Sequence, residues 1–92
     1  MTEKEFLQKY DNVISFSAPE LAEITKQYSI DYIVNHGEHG LSVSYMIVHV
    51  ADRYFKISHT PGFQNEIDGF RGSIVKECKK TITDSRVEWR DI

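Results

Sequence analysis

Apolar and polar positions along the chain change period three times, and each change marks a new kind of element. Thr2 to Glu5 has the Thr-x-x-Glu spacing of a capping box, and Phe6, Leu7 and Tyr10 then fall on one side of a short helix. Val13 to Phe16 reads as a brief apolar link or strand. Ser17-Ala18-Pro19-Glu20 is a stronger helix start. Ser17 is placed to cap a free backbone N–H, Pro19 is tolerated in the first turn, and Glu20 closes the box. Leu21, Ile24 and Tyr28 recur at helical spacing, so this second helix buries one narrow stripe.

From Ile30 the period shortens to two. Ile30, Tyr32 and Val34 alternate with Asp31, Ile33 and Asn35, and His36-Gly37-Glu38-His39-Gly40 is a turn by composition. Leu41, Val43, Tyr45, Ile47 and His49 alternate with Ser42 and Ser44, until Met46 to Val50 becomes apolar on both faces, as expected of a central strand covered on both sides. Ala51-Asp52 is a tight turn, and Arg53 to His59 returns as a third strand with Phe55 and Ile57 on one face, completing an antiparallel meander.

The period lengthens again after Thr60-Pro61. Phe63, Ile67, Phe70, Ile74, Cys78 and Ile82 are spaced by 4, 3, 4, 4 and 4, which predicts a long helix. Gly69 and Gly72 are the points at which it would divide, since each costs roughly 1 kcal/mol relative to Ala in a helix. Arg86 to Asp91 is a final short strand with Val87 and Trp89 facing inward. The predicted order is α-α-β-β-β-α-β. It implies an α+β fold: two layers, with a mainly antiparallel sheet (a three-strand meander plus a C-terminal strand) packed against helices.

Length and composition narrow this picture. Ninety-two residues make one domain, residues 1–92, with a modest core. Hydrophobic content of 40% and charged content of 27% describe an ordered globular chain. Homodimerisation is an expected way to add buried surface. Cys78 is the sole cysteine, so no intramolecular disulfide forms and a reducing compartment is expected. No apolar run approaches the ~20 residues of a membrane span, and Thr2-Glu3-Lys4-Glu5 is unlike a signal peptide. The expected location is the cytoplasm, as a soluble protein.

Charge is unevenly spread. Residues 1–52 hold eight acids and three bases, a formal charge of −5, whereas residues 53–92 hold six acids and eight bases, a charge of +2. Such asymmetry points to a polar binding face rather than a reaction centre. Glu20, Glu23, Gln27 and Asp31 stand at offsets 0, 3, 7 and 11. On a continuous helix that stripe spans roughly 16 Å at ~1.5 Å per residue. It shortens if Asp31 already belongs to the strand. Carboxylates so placed can imitate a row of phosphates and compete for a basic DNA-binding groove. Asp11, Glu38, Glu3 and Glu5 extend the face; the plain alternative is an ordinary solvated helix surface.

Other candidates for chemistry are weaker. His36 and His39 flank Glu38, a pattern compatible with zinc and an activated water, but the helical His-Glu-x-x-His signature is absent and a solvated turn is the simpler reading. Cys78, on the apolar stripe, reads as a buried small hydrophobe unless exposure to Lys76, Lys79 and Lys80 activates it. Gly69-Phe70-Arg71-Gly72-Ser73 lacks both Walker and dinucleotide spacing and reads as a turn or helix break. The α-β-β-β-α segment from Ser17 to Ile82 resembles the order of a double-stranded RNA-binding domain. That family places phosphate-binding lysines at the start of its last helix, where Ile74 and Val75 stand here, and the net charge of −3 opposes direct nucleic-acid binding. No catalytic, cofactor or metal residue is assigned.

The whole chain, with Glu20, Glu23, Asp31 and Glu38 and no active-site signature, resembles in length and character the Arn-like anti-restriction proteins of T-even bacteriophages. The resemblance implies a dimeric DNA mimic that acts against the restriction enzyme McrBC and is linked to the nucleoid protein H-NS. The expected function is therefore a non-enzymatic inhibitor of a host restriction nuclease or DNA-binding protein. Asp11, Glu20, Glu23, Asp31 and Glu38 would be its partner-binding residues, with no cofactor. The alternative is a small immunity or anti-CRISPR protein that blocks a nuclease by direct binding, with exposed aromatics as anchors.

Overall fold

Both helices begin where their caps lie in the sequence. In the computed structural model, which describes residues 1–36 and 42–92 and the side chains of 1–34 and 44–92, α1 spans Glu3–Asp11 and α2 spans Ala18–Tyr28. Thr2 Oγ1 accepts the Glu5 amide at 3.2 Å and Glu5 Oε1 accepts the Thr2 amide at 3.2 Å, closing one capping box. Ser17 and Glu20 close the other, at 3.3 and 2.9 Å. Each box satisfies donors that a helix start leaves open.

The link between the helices is not a strand. The Val13 amide donates to the Tyr10 carbonyl at 3.1 Å and the Ile14 amide to the Lys9 carbonyl at 2.8 Å. This pair of bonds ends α1 as a Schellman motif, with Val13 at the position where glycine is usual. Its φ is +56°, a left-handed conformation that a β-branched residue adopts at a cost.

Five antiparallel strands follow: β1 Ser29–His36, β2 Ser42–Val50, β3 Arg53–His59, β4 Val75–Thr83 and β5 Arg86–Asp91. Their order in the sheet is their order in the chain, so β1 and β5 are the edges. The α+β class stands, with five strands rather than four.

The long helix expected over residues 63–82 is absent. A short 3-10 helix, Glu66–Phe70, and β4 occupy that stretch. The apolar series misled because a spacing of four satisfies both periods: Ile74, Cys78 and Ile82 share a face on a helix and equally on a strand. Three influences favour the strand. Val75, Thr81, Ile82 and Thr83 are β-branched. Pairing of Tyr54 with Cys78 and of Lys56 with Lys76 satisfies the backbone of β3. Asp84 and Ser85, with φ of +49° and +66°, form the two-residue turn with both φ positive that a tight hairpin requires. Gly69 is not a hinge in a helix. A Cβ there would lie 2.6 Å from the Thr60 carbonyl oxygen and 2.7 Å from His59 Nε2, so this backbone packs where no side chain fits.

Phe6, Leu21, Ile24, Val48, Val50, Phe55, Ile57 and Phe70 form the core between the helices and one face of the sheet. The Phe6 ring lies 4.8 Å from Phe16 and 4.9 Å from Phe55, and Tyr10 lies 4.8 Å from Phe55. Ile47 and Cys78 are buried too, although alternation points them to the opposite face. The sheet curls over that second face. Trp89 Nε1 on β5 donates to Asp31 Oδ2 on β1 at 2.8 Å, joining the two edge strands across the concavity. The central strand is therefore apolar on both sides for the expected reason.

Candidate interaction surfaces

The acidic residues singled out by the sequence are dispersed, and most are occupied within the chain. Asp11, at the end of α1, receives two Arg53 N–H groups at 3.0 and 2.9 Å, while Arg53 also grips Glu77 on β4 at 3.0 and 2.8 Å. The same guanidinium lies 5.3 Å from the Phe55 ring centre, and the Tyr10 hydroxyl accepts the Glu77 amide at 2.9 Å. Asp11 thus fastens α1 to the sheet. Arg53 holds the Asp11 and Glu77 carboxyls below the usual carboxylate range, chiefly by hydrogen bonding.

Glu20 and Glu23 do share a neighbourhood. Lys9 Nζ donates to both oxygens of Glu20 at 2.7 and 2.9 Å, and that contact is the main reason the Glu20 carboxyl is held low. The amino group of Met1 pairs with Glu23 and also feels Glu5 and Glu20. Three carboxylates therefore gather at the start of α1 and on α2, with two cations among them. Asp31 lies across the sheet from the helices, where it accepts from Trp89 and from the Tyr32 amide at 2.8 Å. Glu38 lies outside the described residues. The four described residues do not make one ridge, and the partial neutralisation of Asp11, Glu20 and Glu23 weakens each as a phosphate substitute.

A different surface stands out. Ile30, Tyr32 and Val34 alternate along edge strand β1 and remain 53%, 45% and 44% exposed. Tyr32 and Val34 pair with Met46 and Ser44, which places them on the helix-bearing face of the sheet. The helices leave these side chains half-exposed. The backbone of the edge is partly blunted, because Asp31 occupies the Tyr32 amide. Val13 and Ile14 form a second exposed apolar point at the helix link.

The remaining candidates have structural explanations or lie out of view. Cys78 sits buried on β4, and desolvation pushes its thiol up to about 11, the opposite of activation. On β4 Lys76 and Lys80 share one face and Lys79 takes the other, so the three do not form one patch. Glu38 and His39 fall outside the described residues, as does the side chain of His36. Among the described residues no cluster of three potential metal ligands occurs, and no helix is long and apolar enough to cross a membrane. No family model, no curated protein and no solved structure matches this chain.

Proposed function

We propose that the protein is a non-enzymatic inhibitor that covers a host nuclease or other DNA-binding protein by direct contact, with the apolar row of β1 as its anchor. The observation that carries the mode of binding is the half-exposed series Ile30, Tyr32 and Val34 on an edge strand. Tyr32 and Val34 share one face of the edge strand, with Ile30 beside them at a register shift, and exposed large apolar side chains so grouped, an aromatic among them, favour a protein partner. In this reading the helices and sheet form two layers, and the partner meets the sheet edge that the helices leave open. The target class, a McrBC-type nuclease or H-NS, comes from the resemblance to phage anti-restriction proteins.

DNA mimicry is the second reading, favoured by the gathering of Glu5, Glu20 and Glu23 around the Met1 amine. The two predict opposite results in one experiment. Inhibition of a McrBC-type nuclease, and binding to H-NS, are measured with Tyr32→Ala and with the double variant Glu20→Lys, Glu23→Lys, in about 0.05 and 0.5 M salt. Direct binding predicts a loss of roughly thirtyfold or more for Tyr32→Ala and a weak salt dependence. Mimicry predicts that the charge reversal abolishes binding, that high salt does the same, and that unrelated duplex DNA competes. Sedimentation of the same variants covers self-association: a homodimer lost on Tyr32→Ala assigns the row to a second copy of this chain instead.

A further inference from the structure

We propose that the mouth of the curled sheet binds the phosphate group of a small phosphomonoester, held by Lys56 and Lys76. These two lysines are direct partners on β3 and β4, so their side chains leave the same face of the sheet. Like charges directly opposite one another destabilise a sheet. They stand here on the concave face, at a cavity of about 360 Å³ that both of them line. Only one carboxylate answers them: Asp91 Oδ1 lies 3.2 Å from Lys56 Nζ. Lys76 has no ion-pair partner among the described residues. One positive charge, on the exposed Lys76 at the rim of the cavity, is therefore left without a counter-charge.

The surroundings suit an anion with an organic body. Lys56 is held back from solvent, its side chain 17% exposed, with its ammonium 5.2 Å from the centre of the Tyr45 ring. Tyr45 and Ser58 are themselves direct partners, one row away on the same face, and both line the cavity. Ser58 Oγ accepts the Ile74 amide at 2.8 Å, which leaves its own proton free to donate. Ile74 supplies an apolar wall. A volume near the lower end of small-ligand sites, roughly 300–1,000 Å³, exceeds what a bare inorganic anion fills. A phosphate between the lysines with a sugar or nucleoside against Tyr45 and Ile74 uses all of these features. The site is on the opposite side of the sheet from the β1 row, so its failure leaves the direct-binding reading untouched.

The test is calorimetric titration of the full chain with adenosine monophosphate, glucose 6-phosphate and inorganic phosphate at a fixed ionic strength of about 0.15 M. Saturable binding of at least one of the two esters, tighter than inorganic phosphate, is expected, with a dissociation constant of about 1 mM or below. The nucleotide and the sugar phosphate arms decide which organic body is preferred. Lys76→Gln is exposed and leaves the fold intact, and it weakens binding about tenfold or more, whereas Lys76→Arg retains it. A second readout is thermal: Lys76→Gln melts at or above the wild-type temperature without ligand, and loses the rise that the ester gives the wild type. Absence of saturable ester binding up to about 10 mM overturns the proposal. So does equal affinity in wild type and Lys76→Gln, or inorganic phosphate binding as tightly as either ester.

Discussion

Replacing Val13 by glycine should make the protein more stable, even though it removes a large apolar side chain. Val13 occupies the glycine position of the Schellman motif that ends α1, at a φ of +56°. A residue with a Cβ pays about 1–2 kcal/mol for that conformation. Glycine avoids the cost but gains about 0.5–1 kcal/mol of extra freedom in the unfolded chain. The side chain is 92% exposed, so its loss removes almost no buried surface. The balance is a gain of about 0.5–1 kcal/mol, or roughly 2–8 °C in melting temperature for a domain of this size. Thermal melts and urea titrations of wild type, Val13→Gly and Val13→Ala measure it. Alanine keeps the strain and should stay near wild type. A glycine variant that melts lower, or no higher than the alanine variant, would refute the reasoning. Strain retained at an exposed point also has a functional side. If Val13→Gly gains stability and loses partner affinity together, the link belongs to the contact surface.

Three further outcomes are expected. Ser85→Gly, which gives the β4–β5 turn the Asp-Gly pair suited to two positive φ values, should stabilise by about 0.5–1 kcal/mol in urea titrations. Arg53 lowers the folded-state pKa of both Asp11 and Glu77. That contribution is present above the unfolded carboxyl values, near pH 4, and is lost as pH falls through the folded ones. Wild type should therefore lose stability as pH falls below about 4, and Arg53→Met should be weaker at pH 7 but less sensitive to acid; equal slopes would remove the triad from the account. Cys78 should react slowly with iodoacetamide at about pH 8, at the pace of unfolding, because its thiol is buried and pushed up to about 11; fast labelling of the folded protein would contradict that burial.

Much of the fold was legible where local chemistry had a single reading. The two capping boxes, the turn at Ala51-Asp52 and the limits of β3 need nothing beyond neighbouring residues. The stretch from Phe63 to Ile82 was not legible from periodicity, since steps of four residues are common to both kinds of element. The decisive cues were present but local: two glycines within four positions, β-branched residues from Ile74 to Thr83, and Asp84-Ser85 before another strand. The acidic residues show a different limit. Type and spacing identified Glu20 and Glu23 as neighbours, yet nothing in the sequence paired Asp11 with Arg53, 42 positions away, or Asp31 with Trp89, 58 positions away. The facing lysines at the sheet mouth were hidden for the same reason: their register exists only once residues 75–83 are a strand.

The contact between Trp89 and Asp31 gives the protein a built-in optical gauge. Trp89 is the chain's one tryptophan, so indole emission comes from a single place. That place is where the first strand and the last touch. Any event that parts them wets the indole and shifts its colour, without a dye or a label. The order in which the sheet's ends separate from its middle can be timed by light alone.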